Sequence, residues 1–228
     1  MIAPLMWITP LAIILFVSAV IAIIAPFDVM FTAATFGSPV LRAILIAVLV
    51  LAGAWAANSA GLRLLTGQIG SVLIGAIAAV LVAGYVVAID CYLFRSSLPA
   101  SYVQFFEQTP LAARLAYFML RAFNENVIYR LFVFSMALCL LLMARPQGLA
   151  PTVILAVMVA TQALNIGLNV TALSPDPITP VTLSYEALRY IVPGVIWAWL
   201  FWRFGFMAAE VASVGCHIFL QPALGVLL

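Results

Sequence analysis

Between residues 69 and 89 the chain reads IGSVLIGAIAAVLVAGYVVAI, a run without a single charged side chain. As a helix rising about 1.5 Å per residue it spans the roughly 30 Å hydrocarbon core of a bilayer. Lipid offers backbone N–H and C=O groups no partner, so a segment of this kind must satisfy them within itself as an α-helix. Similar apolar runs recur along the chain, which predicts spans at about 5–25, 39–57, 69–94, 122–144, 150–172, 184–203 and 205–226. Between them lie polar or helix-breaking separators, APFDVMFTAATFGSP, NSAGLRLLTGQ, RSSLPASYVQFFEQTP, RPQG and SPDPITP.

With 67% hydrophobic and 7% charged residues in a chain of 228, lipid must be the solvent for most of it, and six to eight spans consume the whole length. The expected fold is all-α, a polytopic transmembrane helix bundle of about seven to eight helices. A single integral membrane domain over 1–228 leaves no room for a separate soluble one. The amino-terminal run lacks the positive segment of a secretory signal and continues to Ala25, with Pro26 directly after it, so a retained first span is expected. Residues 100–121, with Glu107, Arg114 and Arg121 among aromatic and aliphatic neighbours, suit an interfacial amphipathic helix or a tilted extension of the fourth span.

The charges are few enough to follow singly: nine arginines, no lysine, seven acids and one histidine, His217. They form no basic patch, so nucleic acid is not an expected partner. Cys91, Cys139 and Cys216 lack metal-ligand spacing, and a catalytic zinc usually needs three protein ligands; no metal and no cofactor is expected. No internal repeat points to an inverted-repeat transporter. The arginines divide almost evenly between the two faces, which leaves the orientation open.

Placed on this topology, the buried polar residues gather in one half of the bundle. Asp90 ends the third span, Glu125 and Asn126 open the fourth, Asn165 and Asn169 lie late in the fifth, and His217 and Gln221 lie past the middle of the last. Glu210 stands apart, near the opposite face. Asn126 and Arg130, Asn165 and Asn169, and His217 and Gln221 are i,i+4 pairs, which a helix projects from one face. A charge at a helix centre costs about 2.5–3.5 kcal/mol on insertion scales, so these stripes should face one another around a shared cavity.

ENVIYRLF, residues 125–132, resembles the Glu-Glu-x-x-x-Arg motif of the type II CAAX prenyl endopeptidase and bacteriocin-processing (CPBP) intramembrane protease family, which includes abortive-infection-like members. That family carries Phe-x-x-x-His on a later helix and His-x-x-x-Asn/Asp near the carboxyl terminus; NIGLN (165–169) and HIFLQ (217–221) fall where these are expected. The resemblance covers about 100–228, the region similar to the protease core. Glu125, Arg130 and His217 match residue for residue, whereas Asn126, Asn169 and Gln221 replace the second glutamate, the second histidine and the terminal Asn/Asp.

The resemblance implies a glutamic-type intramembrane endopeptidase, a hydrolase acting on a lipidated or membrane-embedded protein substrate from a bacterial inner membrane. It assigns Glu125 to activating water, His217 to holding that water or protonating the leaving amine, and Asn169 with Asn165 to the oxyanion. Asn126, Arg130 and Gln221 would support them.

Each residue also has a structural alternative. Glu125 can form an ion pair with Arg121 or Arg130, Asp90 can partner an arginine, and the amides can serve as interhelical packing bonds of about 0.6 kcal/mol. The aromatics of VIWAWLFWRFGF, residues 195–206, suit an interfacial belt. Two further functions therefore stand beside the peptidase: a catalytically inactive relative serving as a scaffold or subunit of a larger membrane complex, and a small transporter relaying protons through Glu125, Asp90 and His217.

Overall fold

The computed structural model describes the backbone at 5–24, 38–64, 69–173 and 179–228, and the side chains within those ranges except at 5–8 and 168–173. Among the described residues there are no strands, and the helices form one bundle. In chain order they are α1 (Leu5–Ile24), α2 (Pro39–Ser59), α3 (Ile69–Leu93), α4 (Ala100–Gln108), α5 (Leu111–Ala144), α6 (Pro151–Leu173), α7 (180–204) and α8 (Phe206–Leu227). Each expected span corresponds to a helix. Most of the separators around 25–37, 65–68 and 174–178 lie outside the described residues.

Four helices, α2, α3, α5 and α8, are long and apolar enough to cross a membrane, and shorter apolar helices cover Thr9–Ile24 and Pro151–Gly167. Their outward faces are apolar: Leu73, Ile77 and Leu81 on α3 and Val48, Leu51 and Trp55 on α2 are all exposed. A soluble domain does not present contiguous apolar surface on this scale. The chain is an integral membrane protein.

Residues 100–121 resolve into both of the expected alternatives. α4 is a short amphipathic helix with only Phe106 buried, and Pro110 then opens α5, which continues without a break through the fourth span. Asn126 consequently lies about 22 Å inside a long helix rather than at its mouth.

Among apolar helices in lipid, packing depends on close approach of small residues. α8 makes its most extensive contact with α3, where a side chain at Gly75 would meet the Ala208 carbonyl at 2.6 Å and one at Gly215 would meet Ala79 at 3.6 Å. These contacts advance in the same direction along both helices, so α3 and α8 run parallel. α5 approaches α2 as closely, with a side chain at Gly53 placed 2.7 Å from the Leu131 carbonyl.

The ends of α8 are tied down by other elements. Gly205, at φ 92°, reverses the chain after α7, a conformation glycine adopts at little cost. The loop after α2 then accepts the first amides of α8, Phe206 N to Arg63 O at 2.9 Å and Met207 N to Leu64 O at 3.2 Å, satisfying donors that a helix start leaves open. At the other end Arg95 Nη1 donates to Leu227 O at 2.7 Å, and Arg114 Nη1 reaches Gln221 O at 3.1 Å. Arg114 lies directly over Gly225.

Three stretches widen into π-helical turns, Ile89–Leu93 in α3, Val127–Phe134 in α5 and Ala187–Ile191 in α7. Such turns are rare and concentrate at functional sites. Each carries a buried or half-buried charged residue: Asp90, Arg130 and Arg189 respectively.

Gly75→Val should be expelled by backbone rather than by a movable side chain. Overpacking of this kind costs about 1–3 kcal/mol or more. Thermal unfolding in detergent should show Gly75→Val well below wild type, with Gly84→Val, where nothing stands within 4 Å, close to it.

Candidate functional site

A cavity of about 390 Å³ opens between α3, α5, α6, α7 and α8. Glu125, Asn126, Arg130, Asn165, His217 and Gln221, the side chains singled out by sequence, all line it. The side chain of Asn169 lies outside the described residues. Arg121, Gln162, Glu186, Arg189 and Ser213 complete the polar wall.

Glu125 and Arg121 are one turn apart on α5, and Arg121 Nε donates to Glu125 Oε1 at 2.7 Å. Arg121, and not Arg130, is therefore the ion-pair partner of Glu125. Both groups are about a quarter exposed, so solvent weakens the pair and it contributes little to stability. Arg121 also donates to the Tyr117 hydroxyl at 3.2 Å.

Arg130 is 4% exposed. Its Nη2 donates to Gln162 Oε1 at 2.5 Å, and among the described residues no carboxylate lies within ion-pair distance of it. The Gln162 side chain in turn packs directly on Gly194 of α7, in the space a β-carbon would fill. A neutral amide thus links α5, α6 and α7 around a buried guanidinium.

On α8 the His217 ring stacks on Phe118 of α5, with centroids 5.5 Å apart and planes 18° from parallel. Its Nδ1 lies 3.3 Å from Gln221 Nε2. For the Gln221 amide to donate there, the ring proton must sit on Nε2. The backbone of Gln221 is the one held by Arg114, so the arginine that secures the end of α8 also sets the turn carrying His217 and Gln221.

Asp90 belongs to a different cluster, which sequence left as a carboxylate in need of an arginine. It is fully buried, and Arg189 Nε donates to its Oδ1 at 2.8 Å and its Oδ2 at 3.1 Å. Tyr102 and Tyr185 donate to the same carboxylate at 2.8 and 3.1 Å. Arg189 also contacts the hydroxyls of Tyr102 and Tyr190, and its guanidinium lies 4.7 Å from the Tyr190 ring centroid. On α4, outside the spans, burial pushes the Tyr102 phenol well above its ordinary range, so it remains protonated and a donor. The network ties α3, α4 and α7 together and puts Arg189 and Tyr190 in the cavity wall.

Glu210 departs from the position expected for it. Although it stands near the start of α8, it is 6% exposed and accepts a hydrogen bond from Asn126 Nδ2 at 3.4 Å. The early start of α5 places Asn126 deep enough to meet it. Of the two arginines that sequence offered Glu125, the structure selects Arg121, at i,i+4; sequence reasoning missed Gln162, Arg189 as the partner of Asp90, and the three tyrosines. Among the described residues no three His, Cys, Asp or Glu side chains cluster as metal ligands would. No family model matches this chain, and no curated protein or solved structure matches it either.

The ion pair of Arg189 and Asp90 sits where α3, α4 and α7 meet, with Asp90 fully buried. Replacing either alone, by Met or Leu, should destabilise the protein by about 3–5 kcal/mol, as expected when one member of a buried pair is left behind. Replacing both should cost less than the sum of the two. Equilibrium unfolding in mixed micelles reads all three.

Proposed function

We propose that the protein is a divergent CPBP-type glutamic intramembrane endopeptidase of the bacterial inner membrane, hydrolysing a peptide bond of a lipidated or membrane-embedded substrate. The observation that carries this reading is the convergence of Glu125, Asn126, Arg130, Asn165, His217 and Gln221, from three helices, on one cavity inside an otherwise apolar bundle. Polar groups placed there cost insertion energy, which a functional cavity explains better than packing alone.

In this mechanism Glu125 takes a proton from water as the water oxygen attacks the scissile carbonyl carbon. Arg121 engages Oε1, and Oε2 has no protein partner among the described residues, which leaves it for the water. His217 orients the same water. The carbonyl becomes an oxyanion facing the amides of Asn165 and Asn169, with Asn126, which also lines the cavity, as a supporting donor, a role worth about 2.7–4 kcal/mol for one well-placed donor. As the tetrahedral intermediate collapses, the proton held by Glu125 passes to the departing amine. Water is consumed, and one carboxylic acid and one amine are released.

One observation favours a second reading, a relative that binds its substrate or a partner subunit without cutting it. Glu125 is held in an ion pair at 2.7 Å, and Asn126 stands where the resembling motif has its second glutamate. Such a protein would use the same cavity for recognition.

Membranes from cells lacking the chain, restored with wild type or with Glu125→Gln at equal levels, separate the two when new peptide termini on membrane proteins are mapped by mass spectrometry. The peptidase predicts termini present with wild type and lost in the variant. Identical termini in both would leave only the binding role.

A further inference from the structure

Two buried residues, each with one unpartnered acceptor oxygen, meet beside the cavity. Asn126 is 1% exposed and Glu210 6%. Their contact is a single long hydrogen bond, Asn126 Nδ2 to Glu210 Oε2 at 3.4 Å. The other oxygen of each group, Asn126 Oδ1 and Glu210 Oε1, is sealed from solvent and has no hydrogen-bond partner among the described residues. A buried acceptor left in this state destabilises the fold, and a charged one more so.

Among the described residues no hydrogen bond reaches either oxygen. Along the α3 face packed on α8, residues 69–88 contain no charge and one titratable group, Tyr85, whose hydroxyl is bound to Leu188 O. α7 ends in Arg203, which is exposed, and its Arg189 is taken by Asp90. α4 carries Glu107, which is exposed. On α5, Arg114 is bound to the Gln221 carbonyl and Arg121 to Glu125. Arg130 donates to Gln162 and makes no ion pair with Glu210. One proton satisfies both oxygens at once, if Glu210 itself carries it.

We propose that Glu210 is held as a neutral carboxylic acid that closes a two-bond ring with the Asn126 amide and so fixes the second N–H of that amide as a donor to the cavity. In the ring, Glu210 Oε1–H donates to Asn126 Oδ1 and Asn126 Nδ2–H donates to Glu210 Oε2. A primary amide has two N–H bonds, and the ring uses one. With Oδ1 sealed, the edge that Asn126 offers the cavity is Nδ2 with its remaining hydrogen. Glu210 is thus a positioning residue acting through Asn126. A carboxyl from α8 stands behind the position where the resembling motif has its second glutamate.

The test is independent of whether any peptide is cleaved. Infrared spectra of the purified protein in micelles at about pH 8, well above the ordinary carboxyl range, should show a protonated-carboxyl carbonyl band that is absent from Glu210→Gln. In thermal unfolding, Glu210→Gln should stay near wild type, because an amide closes the same ring, whereas Glu210→Ala should fall by about 4 °C or more. The same order, Gln restoring what Ala loses, is expected for any cleavage activity. A spectrum unchanged by Glu210→Gln, or a Gln variant as unstable as the Ala variant, would mean that Glu210 is ionised and overturn the proposal.

Discussion

Lipid gives a polar side chain nothing to bond to, and every polar group buried in this bundle must therefore find its partner on another part of the chain. That requirement decides which helices touch. Asp90 on α3 draws in Arg189 of α7 together with Tyr102 of α4. Gln162 on α6 joins Arg130 of α5 and packs on Gly194 of α7. Apolar packing alone distinguishes poorly between one pairing of greasy helices and another, because lipid tails compete for the same surfaces. The polar links and the close glycine contacts at Gly53 and Gly75 supply the specificity.

The two polar clusters differ in how completely they are satisfied. Around Asp90, two tyrosine hydroxyls and a guanidinium saturate the carboxylate, and a network of that kind makes the junction rigid. Around the cavity the bonding among the described residues is sparse: Glu125 has one partner, Arg130 one neutral amide, and His217 one contact with Gln221 beside the Phe118 ring. Groups with unused bonding capacity are the ones able to engage a ligand. The saturated cluster braces the wall and the sparse one faces the interior, an arrangement in which a rigid outer layer holds reactive side chains in place.

The number and positions of the helices were legible because uninterrupted apolar runs have no other stable form in a bilayer. Five residues of the cavity wall were legible from a simple rule, that i,i+4 polar stripes on separate helices must face one another, and Glu125 from its depth in the fourth span. What escaped the sequence shares a physical cause. The 3.6-residue period and the depth of a span are read on the assumption of regular helices beginning where hydropathy rises. α5 begins eleven residues earlier than 122, at Leu111, so Asn126 and Glu210 meet where the expected spans keep them apart. No residue type announces a π-helical turn, so the side-chain directions of Asp90 and Arg189 could not be assigned. Arg189 looked like a charge at a membrane face because nothing in its neighbourhood of sequence names a carboxylate about a hundred positions away.

The widened turn at Val127–Phe134 has a consequence for how this chain can tolerate insertions and deletions. A π turn holds one more residue than the α turn it replaces, and removing one residue there would let the helix relax to the commoner geometry. The relaxed turn would still close about one revolution, so both halves of α5 would keep nearly their orientation, the first toward the cavity and the second toward α2. A residue removed from the regular helix at Ser135–Ala144 would instead turn all that follows it by about 100°. The widened turn is therefore the place where α5 can lose a residue with its faces still pointing at the same neighbours.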